Sequence, residues 1–272
     1  MTHTPLPVDL AGMLDRARPR LGRLGSRVLY FPTIGSTNDV AIALAGHGDC
    51  EGAVVLADEQ TAGRGRRGRV WFSPPGSGLY VSVVLTPARA RTDVARATRL
   101  LTLAAGVALA EGVEVATGLV VDLKWPNDLQ IGGRKLAGIL AEGVGNDLHS
   151  QCVVLGFGIN MSPTAYPPEL GDRATSLEAE LGRPVDRPSL LIEALVALGR
   201  RYDDLLAGRF DAILDAWRRR APAGVGARVT WTGPSGVRSG LTDGIDDHGA
   251  LLVRVGERIE RIEAGEVNWT TS

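Results

Sequence analysis

Between Gly63 and Trp71 the chain reads GRGRRGRVW, with three glycines and four arginines in its first seven positions. Guanidiniums stay charged at neutral pH and grip oxyanions bidentately, and glycine lets backbone amides approach a ligand closely, so this loop suits an anion. The letters match G-x-G-x-x-G, and GAVVLA at 52–57 reads as a buried strand before it. The chain continues with VWFSPPGSG, where Pro74, Pro75, Gly76 and Gly78 exclude the helix start that a dinucleotide fingerprint requires. No Walker G-x-x-x-x-G-K-[ST] occurs, so phosphates must be held by this loop's own side chains and amides. Disordered RG segments bind nucleic acid as polyelectrolytes, but they come as repeated tracts, and this one stands once between two strands. Four like charges and three glycines oppose order, so residues 63–69 are expected to be mobile until an anion neutralises them.

Three further segments could carry chemistry. KWPNDLQIGGRKLAG, 124–138, has a lysine near each end. Lys135, carried by a hairpin, is placed to neutralise a carboxylate or an α-phosphate, and Asp128 could serve as a base or a magnesium ligand. Lys124 divides evenly between function and structure, and Trp125-Pro126 and Asn127-Asp128 also read as core and turn. GSTND, 35–39, opens a helix: one hydroxyl is expected to cap it, while Ser36, Thr37 and Asn38, with Gln60 nearby, offer donors and acceptors to an uncharged polar ligand. GFGIN, ending at Asn160, reads as a strand end whose glycines admit something close to the backbone.

The elements that must position these residues are set by hydropathy patterning. Residues 8–24 carry a weak amphipathic helix interrupted at Pro19. Strands at 27–32 and 52–57 enclose a helix from Ser36, a β-α-β opening. A strand at 78–85, a long helix at 94–113, a strand at 119–125, a hairpin turning at Gly132-Gly133 and a strand at 151–160 come next. Helices at 188–207 and 209–220 close this part. Beyond Pro222, short strands at 227–232, 237–245, 250–255, 258–263 and 266–270 read as a small β-barrel. The expected fold is α+β, a mixed sheet with helices plus that barrel. The expected division is an N-terminal extension (1–25), a catalytic domain (26–222) and a C-terminal domain (223–272).

Composition excludes several classes. The chain has 272 residues, 44% apolar and 22% charged, with net charge −1, so no global charge points to nucleic acid or an anionic membrane. Cys50 and Cys152 are two in number and lie far apart, which indicates neither a disulfide framework nor a zinc site. No basic-then-apolar leader opens the chain, and no run approaches a membrane span. A cytoplasmic protein without a membrane partner is expected.

Taken in order, STN, EQTAGRGRRGRVW, KWPND, RKLAGIL and GFGIN resemble biotin protein ligase, from about residue 30 to the C-terminus. The resemblance implies a class II synthetase-like catalytic domain that makes biotinyl-5′-AMP and pyrophosphate from biotin and MgATP, then acylates one lysine of a biotin carboxyl carrier protein. It places Ser36, Thr37, Asn38 and Gln60 around the ureido ring and closes Arg64, Gly65 and Arg66 over biotin. It sets Arg64, Arg66, Arg67, Arg69, Trp71, Asn127 and Asn160 near the nucleotide. Arg66 and Lys135 are catalytic in it, with Lys135 holding carboxyl and α-phosphate oxygens, and the need for a neutral acceptor lysine makes Asp128 the candidate to orient or deprotonate it. No protein-bound metal is implied beyond the Mg2+ of MgATP. Family members that repress transcription carry a winged helix-turn-helix first, and roughly 25 residues are too few for one, so no specific DNA binding is expected. Monomer and homodimer stay open. A lipoate or octanoyl ligase would share the fold but leave the polar cluster facing an apolar ligand. A nucleic-acid regulator is opposed by the near-zero net charge.

Overall fold

A computed structural model describes residues 3–46, 51–145, 152–233 and 236–269; Cys50, Gln151 and Thr270 lie outside them. Helix α1 (Val8–Leu21) runs through Pro19 without interruption, contrary to the expected break. The proline falls in the last turn, so its missing amide removes a single hydrogen bond with two helical residues left. Leu10, Leu14, Ala17 and Leu21 bury one face in the main core.

The β-α-β opening forms as expected. Strands β1 (Val28–Ile34) and β2 (Val54–Gln60) pair in parallel and are joined through α2 (Thr37–Ala45). Pro32 is accommodated because β1 is an edge strand. Antiparallel pairing carries the sheet onward through β3 (Gly78–Leu85), β4 (Asp122–Lys124), β5 (Asp128–Ile131), β6 (Arg134–Val144) and β7 (Cys152–Asn160). The seven strands lie in the order β1-β2-β3-β7-β6-β5-β4. Alternate residues of β2 face opposite ways, Val54 and Leu56 into the main core and Val55 and Ala57 into a second cluster under α2, so β2 is buried on both faces. Of the strand expected at 119–125 only Asp122–Lys124 is formed, at the far edge where one side has no partner. The β5–β6 hairpin turns at Gly132-Gly133, both with positive φ, 57° and 75°, as a two-residue turn requires.

Helix α3 (Val94–Thr117) is longer than expected and ends in Gly118 at φ 81°. It is also long and apolar enough to cross a membrane, but 67% of its most apolar window is buried inside the protein, which makes it the core helix under the sheet. Gly112 lets it lie close to the later helix at Ala194, whose Cα would be 2.7 Å from an added Cβ. Short α4 (Leu177–Leu181), then α5 (Arg187–Leu206) and α6 (Phe210–Arg220), complete the helices. Strands β8 (Val225–Gly233), β9 (Gly236–Ile245), β10 (Leu251–Val255), β11 (Arg258–Ile262) and β12 (Val267–Trp269) form the second sheet, antiparallel in the order β11-β10-β9-β8-β12. Its register shifts twice, in β8–β9 and β9–β10, the bulges that curl a small sheet. Among the described residues β11 and β12 are not paired, so the expected barrel is an open ladder there.

Candidate active site

Every candidate residue lines one cavity of about 620 Å³, between one face of the seven-stranded sheet and the β12 edge of the second sheet. That volume lies in the usual range of small-molecule sites. One end is polar and neutral. Ser36, Thr37 and Asn38 are buried at the start of α2. Gln60 Oε1 accepts from the Thr37 amide (2.9 Å) and Thr37 Oγ1 (3.1 Å), and Gln60 Nε2 donates to Ser73 Oγ (3.0 Å). Ser82 Oγ lies 2.7 Å from Thr37 Oγ1 and also donates to Asn38 Oδ1. The expected side-chain cap is absent: Ser36 stands at the N-cap without that bond, and Gln60 takes over for the first helical amide.

The glycines of GFGIN are explained by the protein's own side chains. A Cβ at Gly156 would collide with the Asn38 amide, and one at Gly158 with the Trp71 indole. Trp71 thus packs against Gly158 of β7 and Gly138 of β6, its Nε1 buried without a partner.

The arginine segment is a small hairpin rather than a free loop. Gly65 N donates to Arg69 O (2.7 Å) and Trp71 N to Gly63 O (2.9 Å), and the turn is completed by Arg67 at φ 58°. Three of its four charges are met by carboxylates of the protein, which corrects the expectation that only a bound anion would neutralise them. Arg64 NH2 lies 2.9 Å from both Asp39 Oδ1 and Glu142 Oε2. Arg67 and Arg69 pair with Glu266, just before β12. Arg66 donates to Asn127 Oδ1 (3.1 Å) and Gly265 O (3.5 Å). Burial lowers its pKa, Arg67 adding to the effect and Asp128 opposing it. A half-buried guanidinium remains fully charged and interacts more strongly than one in water.

The other end of the cavity is cationic. Lys124 and Asp128 face each other across β4–β5, and Lys135 Nζ lies 2.6 Å from Asp128 Oδ1. Burial lowers the Lys124 pKa, with Lys135 pushing the same way and Asp128 opposing. The Lys124 ammonium stands 5.6 Å from the centre of the Trp269 ring and that of Lys135 5.4 Å from the Trp71 ring. Backbone holds Lys135 in place, its N–H donating to Arg173 O (2.8 Å) and its carbonyl accepting from Thr175 N (2.9 Å). Asn160 Nδ2 donates to Thr175 O (3.0 Å), and Asn127 Nδ2 to Ile139 O (2.8 Å). These two amides therefore brace the strands that carry Lys135 and Asp128.

Sequence reasoning missed Glu142, Asp39, Ser82, Glu266 and Trp269. A carboxylate in the otherwise apolar LAGILAEG of β6 was the one available signal. Asp39 lay inside the GSTND segment without a role, and Ser82, Glu266 and Trp269 come from distant parts of the chain.

The Biotin/lipoate A/B protein ligase family matches residues 30–160, and the Biotin protein ligase C terminal domain matches residues 225–268. The biotin–[acetyl-CoA-carboxylase] ligase of Paracoccus denitrificans is 36% identical over 85% of this chain and 96% of its own. The chain belongs to the biotin protein ligase family. The bifunctional ligase/repressor BirA of Bacillus subtilis is also 36% identical, over 94% of this chain and 79% of its own. Among solved structures of biotin protein ligases, that of Aquifex aeolicus in complex with biotin and ATP superposes with a TM-score of 0.76 at 28% identity, covering 91% of this chain and 100% of that one.

Proposed function

We infer that this biotin protein ligase joins biotin to ATP, giving biotinyl-5′-AMP and pyrophosphate, and then transfers biotin to a lysine of a biotin carboxyl carrier protein. The observation that carries the reading is the polarity of the cavity: a neutral hydrogen-bonding cluster at one end, and Arg66, Lys124 and Lys135 at the other. A ureido ring needs donors and acceptors without net charge, which Ser36, Thr37, Asn38 and Gln60 supply. A lipoyl or octanoyl group would offer no partner to the donor and acceptor capacity that their bonds to one another do not use, at a cost of about 1–3 kcal/mol for each buried group left unmet.

In the first step a carboxylate oxygen attacks the α-phosphorus, the C–O–P anhydride forms, and the P–O bond to pyrophosphate breaks. Two anions must meet, so fixed positive charge at the α-phosphate lowers the barrier. We assign this to Lys135 and Arg66, with Arg64, Arg67, Arg69, Trp71, Asn127 and Asn160 shaping the nucleotide side and Gly65 letting the loop approach. In the second step a neutral lysine amine attacks the acyl carbon and AMP leaves. Roughly one free lysine in a thousand is neutral at pH 7; we assign Asp128, which pairs with the Lys135 ammonium, to take the proton.

Mg2+ is assigned to the substrate MgATP, whose phosphates it would bridge. The reading includes a catalytic domain over 26–222 and a C-terminal domain over 223–272 that supplies Glu266 and Trp269 to the cavity. It also includes a cytoplasmic setting where ATP is abundant, no specific DNA binding, and a monomer or homodimer. The test is transfer: with biotin and MgATP, a carrier domain should gain one biotin, located by mass spectrometry on a single lysine. Labelling at many lysines, or none, would refute the second step.

A further inference from the structure

One carboxylate oxygen joins the neutral cluster to the arginine loop. Glu142 Oε2 accepts from Asn38 Nδ2 at 2.6 Å and from Arg64 NH2 at 2.9 Å. Asn38 is otherwise held by Ser82, which donates to its Oδ1, so the amide is oriented with its N–H groups toward Glu142 and the cavity. Arg64 reaches Asp39, the next residue of α2, through the same nitrogen at 2.9 Å. This arrangement has two physical effects. A carboxylate on one N–H of the Asn38 amide, with Ser82 on its oxygen, pins the amide so that its other N–H is held toward the cavity. The same carboxylate cancels the Arg64 charge at the end of the cavity where a neutral ring is bound, leaving Arg66 and the lysines as the cationic end.

We propose that Glu142 is a positioning residue that sorts the arginine loop, fixing Arg64 at the ring end together with Asn38 so that Arg66 falls at the phosphate end. The proposal rests on the biotin site assigned above. It predicts that Glu142 governs biotin binding and loop seating together, which a residue serving only sheet stability would not do.

The variants Glu142→Ala, which removes both contacts, and Glu142→Gln, which keeps an acceptor for Asn38 but loses the charge facing Arg64, separate the roles. Hydrogen bonds to charged groups contribute enough that Glu142→Ala should raise the biotin KM for adenylation roughly tenfold, with kcat changed less than about threefold. Glu142→Gln should restore most of that KM. Without any ligand, trypsin should cut after Arg64 faster in both variants than in wild type, as mapped by fragment mass. Equal cleavage in all three proteins, or a loss confined to kcat, overturns the proposal. The ligand-free cleavage uses no substrate, so it can fail while the wild type adenylates biotin, or succeed while it does not; the two readings fall separately.

Discussion

Arg69 of the arginine loop donates to Glu266, a residue of the second sheet's edge that also faces Arg67. The loop is therefore braced from both sides, by Glu142 and Asp39 on the first sheet and α2, and by Glu266 across the gap. The Arg69 side chain is 70% exposed, and exposed ion pairs contribute about 0–1 kcal/mol. Glu266→Gln should therefore lower Tm by only a few degrees, while speeding tryptic cleavage after Arg67 and Arg69. Unchanged cleavage would mean that the second sheet does not hold the loop.

Lys135 and Lys124 flank one carboxylate, yet only Lys135 is pinned by backbone bonds on both sides. Lys135→Ala should cut adenylation by roughly 10²–10³-fold, as removal of one preorganised charge contact does, and Lys124→Ala by less. Single-turnover formation of the adenylate ranks the two; the opposite order would reassign the carboxyl-holding lysine.

Gly156 and Gly158 exist to admit Asn38 and Trp71. Gly156→Ala should displace Asn38 and raise the biotin KM by tenfold or more, whereas Gly158→Ala should displace the indole and raise the ATP KM more than that of biotin, order-of-magnitude effects for lost or misplaced contacts. Initial-rate kinetics with each substrate varied distinguishes them, and an unchanged pair of KM values would contradict the packing.

Three tyrosines set an alkaline limit. Burial raises Tyr30 to about 12, helped by Asp58, and burial also raises Tyr80 and Tyr202. The folded state holds these protons after an unfolded chain has released them near pH 10. Their stabilisation is therefore complete below pH 10 and is lost as pH rises from 10 through 12, steeply because three groups act together. Tyr80 donates only to Pro74 O (3.1 Å), so Tyr80→Phe should flatten the fall in urea midpoint between pH 10 and 11.5. An equally steep fall would place the loss elsewhere.

Much of this was legible in the chain because local pattern and packing agree. The β-α-β opening, the Gly132-Gly133 hairpin and the five C-terminal strands each arise from hydropathy alternation bounded by turn residues. Helix α3 exceeded its expected end because the residues after Val113 continue it to Thr117, where Gly118 in the left-handed conformation stops it. The strand at 119–125 fell short because an edge strand needs a partner that the sequence does not display. Lys135, Arg66 and Gln60 stood out as polar types in motifs. Glu142 and Glu266 did not, because an acidic residue in a strand or a turn is ordinary until its distant arginine is known. That same gap produced the mistaken picture of an unneutralised loop.

On the proposed function, the neutral end of the cavity selects biotin and the cationic end activates it. The most direct measurement is pyrophosphate release from MgATP by the wild-type protein, with biotin, with lipoate and with neither. Release that depends on biotin and is at least tenfold slower with lipoate is the expected result, the discrimination that unpaired buried polar groups impose. Release driven by lipoate and not by biotin would contradict the account.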